Sequence, residues 1–383
     1  MPNILYIGDP TSIHDLKWIS AFSMKEGYKA FLVAQDLEVN KMKPLDHERL
    51  ESNNIHLLPD QLRFYSVWRQ WDNSHSARII QNAVRDYNIN LIHIFFIAPL
   101  GLNALYTNTP TVLTSRGSDT LIVIPSLLKS TGFRKLNDRI LFNLFRTVIR
   151  KSVAITCTSI SQEDSMKRLF GHDLKTNLIR TGVDVVSIST TDPELSPIKN
   201  TDGKKMILFP RYIQPIYNTL FQIETLKLLK KEVLTSLQLV FIIGRNHDAS
   251  LLKKVKSELK NLEVEHHFVE YLEQYELWAL YRTSDITIMT PKSDGTPNSG
   301  LEAMSGRSHL ILGNLPYDED LFNDESCLRM RTDSEKELAN IITSCIDSPN
   351  YKRLDSAFQI VSEKGNRTVE MGRLEKLYET VLD

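Results

Sequence analysis

The stretch that decides the fold is TPKSDGTPNSGLEAM, residues 290–304. It follows the short apolar run ITIM, and its first ten residues are rich in Ser, Asp, Gly, Pro and Asn, which are typical of a loop. From Gly300 onward it consists mainly of helix formers. The order of strand, loop and helix predicts that the backbone amides of 298–301 lie at a helix N-terminus. Such amides are suited to binding a phosphate group.

The same alternation extends outward over most of the chain. Short apolar, β-branched runs alternate with helix-length amphipathic segments, which is typical of βαβ units and a mostly parallel sheet. In the first half, strands are predicted at 3–7, 29–33, 91–95, 111–114 and 153–156. In the second half, they are predicted at 206–210, 237–244, 265–269, 286–291 and 309–313.

The length of 383 residues suits two α/β domains. The apolar periodicity stops after residue 186, and small and polar residues dominate the next segment. We therefore expect an N-terminal domain over 1–186, a linker over 187–203 and a C-terminal domain over 204–355. The remaining segment, 356–383, is expected to be helical, with a final helix over 367–382.

Composition excludes several classes of protein. A net charge of -1 is not that of a nucleic-acid binder, so no nucleic-acid partner is expected. Cys157, Cys327 and Cys345 are too far apart for a disulfide framework or a CxxC zinc site, and they fit a reducing cytoplasm. No apolar run reaches the roughly 20 residues that span a bilayer. The first residues predict a buried strand rather than a signal peptide.

The segment SDGTPNSGLEAM resembles the donor-site signature of the retaining glycosyltransferases of sequence family 4. In that family an acidic residue, seven further positions and a Glu mark the site, as Asp294 and Glu302 do here. This chain differs in having Asp at the first position and TPNS in the middle. The resemblance implies the GT-B fold, in which two Rossmann-like domains face each other across a cleft and a C-terminal helix crosses back to the N-terminal domain.

The candidate donor site combines these carboxylates with the predicted helix N-terminus. Asp294 is expected to act at the reacting sugar, and Glu302 to accept hydrogen bonds from donor hydroxyl groups. The diphosphate is expected at Asn298, Ser299, Gly300 and Leu301. The simpler alternative is an ordinary helix start, where acidic residues are favoured by the helix dipole.

Two arginines in the second half are candidates for the remaining donor contacts. Arg211 follows a strand where the family uses an Arg on the diphosphate, although a salt-bridged Arg at a strand end would look the same. The family's Lys about five residues later is absent, since 215–218 read PIYN. Gly244 and Arg245 stand where the family has a Gly-rich loop near the nucleotide, and Arg245 is expected to reach the base or a phosphate.

In the first half, TSRGSD at 114–119 resembles the family segment Thr-x-His-Gly-x-Asp, with Arg116 in place of His. The resemblance places Arg116 and Asp119 in the cleft, with Arg116 as a catalytic candidate. The alternative is a loop arginine bound to Asp119. His14 resembles an early family element and Gly8 ends the first predicted strand, and both are expected on the acceptor side of the cleft. The acidic triplet 318–320 is not expected to bind a metal, and no metal site is predicted.

The segment 129–151 is basic and amphipathic, with seven Lys or Arg residues against one Asp. The pattern is typical of a helix that contacts anionic lipid, and equally of a domain helix with a solvated basic face.

The family resemblance thus implies a metal-independent, retaining glycosyltransferase. It would use a nucleoside diphosphate sugar, by default a uridine diphosphate sugar, and need no other cofactor. The acceptor would be a glycan, a glycolipid or another molecule of surface polysaccharide or glycoconjugate synthesis. The expected location is the cytoplasm, with a peripheral contact on the inner face of the cytoplasmic membrane. A sugar-nucleotide epimerase and a non-catalytic GT-B scaffold are the alternatives.

Overall fold

The computed structural model describes residues 2–132, 134–244 and 247–383. The chain forms two compact units, one of Met1–Thr181 with Glu370–Asp383 and the other of Gly182–Val369. These divisions differ from the domain boundaries expected at 186, 203 and 355. The segment 187–203 belongs to the second unit, because Asp184 caps a short helix whose Ile188 is buried in that unit's core.

The first unit contains a parallel sheet of seven strands over its described residues, in the order β3-β2-β1-β4-β5-β6-β7. The strands are β1 (Asn3–Ile7), β2 (Lys29–Val33), β3 (Ile55–Leu57), β4 (Leu91–Phe95), β5 (Thr111–Ser115), β6 (Ala154–Cys157) and β7 (Asn177–Leu178). The helices are α1 (Ile13–Ser23), α2 (Asp36–Val39), α3 (Pro44–Ser52), α4 (Gln70–Asp86), α5 (Ile124–Lys129), α6 (Arg134–Lys151) and α7 (Ile160–Phe170).

The second unit contains a parallel sheet of six described strands, in the order β10-β9-β8-β11-β12-β13. The strands are β8 (Lys205–Phe209), β9 (Leu237–Ile242), β10 (Glu265–Val269), β11 (Ile286–Met289), β12 (His309–Leu312) and β13 (Leu328–Arg329). The helices are α8 (Val185–Thr190), α9 (Thr219–Leu226), α10 (Lys231–Thr235), α11 (Ala249–Lys260), α12 (Gln274–Thr283), α13 (Asn298–Ser305), α14 (Glu335–Asp347) and α15 (Tyr351–Lys364). The last helix, α16 (Arg367–Leu382), begins in this unit and continues into the first.

All ten predicted strands are present, with ends that differ by no more than a few residues. Three short strands, β3, β7 and β13, were not predicted, because two or three residues are too few for a recognisable apolar pattern. The two sheets of Rossmann-like type confirm the predicted fold class. No helix in the described part of the chain is long and apolar enough to cross a membrane.

The core of the first unit includes residues from the far end of the chain. Leu374 and Tyr378 of α16 are buried with Trp18 and Phe22 of α1. The Tyr378 hydroxyl is hydrogen-bonded to His93 Nδ1, and His93 Nε2 lies 2.5 Å from Thr114 Oγ1. Burial lowers the pKa of His93, so its ring is a neutral, internally satisfied part of the core.

The strand order of the second sheet determines where a ligand can bind. The chain builds β8, β9 and β10 toward one edge, then returns to the centre and builds β11, β12 and β13 toward the other. The loops that leave β8 and β11 therefore diverge at the carboxyl ends of these neighbouring strands. In open parallel sheets this switch point forms the crevice that binds ligands.

Candidate functional site

Arg211 and Asp294 meet at this switch point. Arg211 follows β8 and Asp294 follows β11, and Arg211 Nη2 lies 3.2 Å from Asp294 Oδ2. The side chains are 20% and 14% exposed. The two loops are also joined directly, since the Lys292 N–H donates to the Ile216 carbonyl over 2.8 Å. The expected candidates Arg211 and Asp294 are thus brought together as an ion pair.

A tyrosine occupies the stretch where the resemblance led us to look for a lysine. The Tyr217 ring lies 4.4 Å from Arg211 Cζ, within a short 3-10 helix at Pro215–Tyr217. Burial alone would lower the pKa of Arg211, but the charge of Asp294 and the neighbouring Tyr217 and Tyr281 hydroxyl groups outweigh it and raise that pKa. Arg211 therefore remains a fully charged guanidinium whose flat face rests on an aromatic ring.

The loop between Asp294 and α13 is held by its own polar side chains. Asp294 Oδ1 accepts a hydrogen bond from the Gly295 N–H over 2.9 Å. Thr296 Oγ1 donates to Asp318 Oδ2 over 2.7 Å, and Asp318 is buried. One acid of the triplet 318–320 thus supports this loop. Across the described residues, no group of three or more His, Cys, Asp or Glu residues is arranged to hold a metal ion.

The N-terminus of α13 differs from the simple anion site that its sequence predicts. The Gly300 and Leu301 amides both donate to the Pro297 carbonyl, over 2.9 and 3.2 Å. Gly300 is buried, and the Leu301 side chain lies in the core of the second unit. Asn298 and Ser299 form the first turn, and the Ser299 side chain is hydrogen-bonded to Tyr281. The part of α13 suited to a diphosphate is therefore its first turn, Asn298 and Ser299, rather than all four residues that we expected.

Glu302 is a buried carboxylate one turn into α13. It interacts with the Tyr281 hydroxyl, whose pKa is raised well above its ordinary value by burial and by the charge of Glu302. Burial lowers the pKa of Arg367, and the charges of Asp184 and Glu302 oppose that effect. The Tyr281 phenol thus interacts directly with Glu302, and the nearby positive charge of Arg367 favours its ionised form. Sequence reasoning missed both partners, because neither belongs to a motif and both are distant in the chain.

Gly244 lies at the start of the loop after β9 and has a positive φ of 78°. A Cβ atom there would lie 2.2 Å from the Tyr212 ring, so the ring can approach the backbone only because residue 244 is glycine. The Gly244 carbonyl is hydrogen-bonded to His247 Nδ1 over 3.0 Å. The other expected residue of this loop, Arg245, lies outside the described residues.

In the first unit, Arg116 is the centre of a buried cluster. Its Nη2 lies 3.1 Å from Asp15 Oδ1, and its Nη1 donates to Thr181 Oγ1 over 3.3 Å. Its Cζ lies 4.7 Å from the Trp18 ring and 4.6 Å from the Phe95 ring. Burial lowers the pKa of Arg116, whereas Asp15 and Asp119 raise it. The guanidinium is therefore paired with Asp15, and not with Asp119 as the simpler interpretation held.

The Asp119 carboxylate is bound by the turn that carries it. It accepts hydrogen bonds from the N–H groups of Ile97, Gly117 and Thr120 over 2.8, 3.0 and 2.9 Å. The Arg116 N–H donates to it as well, over 3.1 Å. Asp119 thus shapes the loop after β5 and positions the backbone of Arg116.

Asp15 was not among the candidates, although the residues around it were. Asp15 Oδ2 accepts from the Asp9 N–H over 3.0 Å, and a Cβ atom at Gly8 would lie 2.8 Å from this oxygen. His14 is exposed, and its carbonyl oxygen lies 3.5 Å from Arg116 Nη2. A sequence signal for Asp15 was present, because Ser12 and Asp15 have the spacing of a helix N-cap and an acidic residue three positions later. In the structure Ser12 caps α1 by accepting from the Asp15 N–H.

Two family models match the chain. Residues 192–358 match glycosyl transferases group 1, and residues 26–187 match glycosyltransferase family 4. A comparison with curated protein sequences finds no significant match.

Solved structures resemble the whole chain. The HepE protein of Anabaena in complex with UDP and glucose has a TM-score of 0.76 at 14% identity, covering 99% of this chain and 100% of that one. A glycosyltransferase from Rickettsia africae has a TM-score of 0.77 at 14% identity, covering 100% and 99%. Sucrose-phosphate synthase of Thermosynechococcus elongatus has a TM-score of 0.72 at 14% identity, covering 100% and 99%. At such identities the similarity establishes the fold alone.

Proposed function

Because this chain belongs to the GT-B glycosyltransferases of family 4 and group 1, we propose that it transfers a sugar from a nucleoside diphosphate sugar to an acceptor. The observation that carries the proposal is the Arg211–Asp294 ion pair beside the start of α13. A guanidinium and a helix N-terminus at the switch point of a parallel sheet form a site suited to a diphosphate.

We assign the leaving diphosphate to Arg211 and the first turn of α13. Negative charge builds on the leaving oxygen as the bond to the sugar breaks, and a buried guanidinium stabilises that charge. Arg211 is positioned for this by Asp294 and by the Tyr217 ring. When a diphosphate binds Arg211, it competes with Asp294 for the same guanidinium. The released carboxylate can then accept a hydrogen bond from a hydroxyl group of the donor sugar.

Glu302 is proposed to bind hydroxyl groups of the donor. Its carboxylate is buried, interacts with the Tyr281 hydroxyl and lies near the positive charge of Arg367. A carboxylate in that setting is a strong acceptor for a hydroxyl group, because charged acceptors form stronger hydrogen bonds than neutral ones. Ser299 lies in the first turn of α13 and is hydrogen-bonded to Tyr281, so it links this position to the diphosphate position.

The donor is proposed to be a uridine diphosphate sugar, and the reaction to proceed with retention of configuration and without a required metal ion. The uridine assignment is supported by the Anabaena neighbour, which was solved with UDP and glucose. Independence from metal is supported by Arg211, which supplies positive charge where a metal ion would otherwise act. Since no lysine is present at 215–218, Arg211 carries more of this role than in a site with two cations.

The acceptor is proposed to be a glycan, a glycolipid or another molecule at the inner face of the cytoplasmic membrane, in surface polysaccharide or glycoconjugate synthesis. The support is α6, whose Arg139, Arg146 and Arg150 are exposed and whose Leu136 is 64% exposed. Only Phe145, Val148 and Ile149 of this helix are buried. An exposed basic helix with an apolar side chain among its cations is suited to an anionic lipid surface.

The deciding experiment incubates the purified chain with UDP-glucose, UDP-galactose or UDP-N-acetylglucosamine, with and without a lipid-linked or free sugar acceptor. Sugar transfer, or slow release of UDP into water, with EDTA present supports the proposal. The Arg211→Ala variant, which lacks the proposed counter-charge, is the control for contaminating activity. Conversion of one donor into its epimer without acceptor would instead indicate an epimerase. Donor binding without turnover under every condition would indicate a scaffold.

A further inference from the structure

Besides the donor crevice, the second unit contains a cavity at the amino ends of its strands. Its lining includes Lys205, Ile286 and His309, which are the first residues of β8, β11 and β12. Arg211 and Asp294 follow the other ends of β8 and β11. Since a strand rises roughly 3.3 Å per residue, four or five residues separate the cavity from the donor crevice by about 13 to 17 Å. The cavity is therefore distinct from the proposed donor site.

The lining of this cavity is positively charged. Lys205, Arg282 and Arg307 contribute to it, against the single carboxylate of Asp285. Lys205 Nζ lies 2.8 Å from Asp285 Oδ1, so these two charges compensate each other. Arg282 donates to the Thr191 carbonyl, and Arg307 is paired with Asp355 outside the cavity lining. The wall thus retains an excess of positive charge.

His309 gives the cavity its specific polar group. The residue is 6% exposed, and neither ring nitrogen has a hydrogen-bond partner within the described chain. Burial and the nearby charge of Arg353 lower the pKa of His309, so the ring is neutral near pH 7. A neutral imidazole presents one N–H donor and one acceptor nitrogen. Buried polar groups in proteins are normally hydrogen-bonded, so the two ring nitrogens of His309, unpaired in the part of the chain that the structure describes, indicate that a polar molecule binds in the cavity.

We propose that this cavity binds a small phosphate group through His309, Arg282 and Arg307. Phosphate oxygens can accept from the imidazole N–H and from both guanidinium groups. The acceptor nitrogen of His309 needs a donor, which a protonated phosphate oxygen or the hydroxyl group of a phosphorylated sugar supplies. A volume of about 190 Å³ is smaller than that of ordinary pockets for drug-sized ligands. Inorganic phosphate and a sugar phosphate are therefore the two sources to separate.

The test is calorimetric titration of the full chain with inorganic phosphate and, separately, with glucose 6-phosphate, using glucose as the uncharged control. We expect one saturable site for at least one phosphate ligand and none for glucose. His309→Leu and Arg282→Gln should each weaken binding at least tenfold. Arg331→Gln is the matched control, since Arg331 is exposed and does not line the cavity. It should bind as the parent does.

The donor crevice is a competing phosphate site, and Arg211→Ala separates the two. Binding that survives Arg211→Ala and is lost in His309→Leu supports the cavity. Binding lost in Arg211→Ala and kept in the cavity variants overturns the proposal, as does absence of saturable binding at millimolar ligand. The latter result would show that the cavity holds only water. If His309→Leu fails to fold by circular dichroism, Arg282→Gln and Arg307→Gln decide the question.

Discussion

Arg211→Ala is the perturbation that tests the proposed site most directly. Arg211 Nη2 and Asp294 Oδ2 are 3.2 Å apart, and a phosphate oxygen hydrogen-bonded to the same guanidinium would lie at a similar or shorter distance. At that distance two unit charges attract each other by about 5 kcal/mol with an effective dielectric constant of ~20. Desolvation offsets part of this attraction. We therefore expect the variant to lose about 3 to 4 kcal/mol of transition-state stabilisation, the amount typical of a buried donor at a developing oxyanion.

That loss corresponds to a decrease in kcat of roughly 150- to 900-fold. The assay is steady-state release of UDP with saturating donor and acceptor, with circular dichroism and thermal unfolding as checks of the fold. Arg211→Lys should recover only part of the loss, because an ammonium group cannot form the bidentate contact of a guanidinium. Arg331→Ala is the matched control on the surface and should have the activity of the parent.

The carboxylate that Arg211→Ala leaves behind contributes to the expected loss. Adding Asp294→Asn to Arg211→Ala removes its repulsion of the diphosphate, so nucleoside diphosphate affinity should recover in the double variant relative to Arg211→Ala. The reasoning would be refuted by nearly normal turnover of a folded Arg211→Ala beside an inactive Arg116→Ala or Arg245→Ala. The main counter-charge would then lie elsewhere.

Other substitutions test the remaining assignments. Asp294→Asn should lower turnover while nucleoside diphosphate affinity stays equal or rises, because Arg211 loses its competing partner. Calorimetry and kcat measure the two effects separately. Glu302→Gln should weaken donor binding by about 1 to 3 kcal/mol, roughly 5- to 150-fold, as the charged acceptor for hydroxyl groups disappears. Asp15→Ala should lower the free energy of unfolding by about 3 to 5 kcal/mol in urea titration, because it leaves the Arg116 guanidinium buried without its carboxylate. If α6 contacts anionic lipid, a triple Gln variant should no longer sediment with phosphatidylserine vesicles at low salt, yet should keep its activity on a soluble acceptor. The replaced residues are Arg139, Arg146 and Arg150.

For the vesicle experiment, the matched variant replaces three exposed lysines of the second unit by Gln and should sediment like the parent. These are Lys230, Lys231 and Lys253. Equal sedimentation of the α6 variant and the parent would contradict the membrane contact. Tighter donor binding by Glu302→Gln, or unchanged unfolding of Asp15→Ala, would contradict the roles given to those carboxylates.

Much of the architecture could be predicted from the sequence, because it depends on local patterns. Alternating apolar and polar residues over five to fifteen positions distinguish strands from helices wherever an element buries one face. The final helix, α16, was predicted over the same residues that form it, Arg367–Leu382. The loop 290–297 was located because turn residues separate a buried strand from helix formers.

Pairing between distant residues could not be predicted in this way. Arg116 and Asp15 are 101 residues apart and lie on different elements, and the sequence pointed to the nearer Asp119 instead. Asp119 was unsuitable because backbone amides of its own turn and of Ile97 already occupy its carboxylate. A carboxylate's partner depends on which donors the folded chain brings within about 3 Å, and spacing along the sequence carries no such information.

The sequence by itself therefore determined that the chain is α/β, that it contains two parallel sheets and that a polar loop precedes a helix at 298. It also provided the family resemblance. Only the tertiary structure decided that Arg211 meets Asp294, that Tyr217 lies against Arg211 and that His309 is buried with no hydrogen-bond partner among the described residues. The physical reason is that secondary structure follows from the burial pattern of neighbouring residues. A site, in contrast, forms where strand order brings the ends of separate strands together.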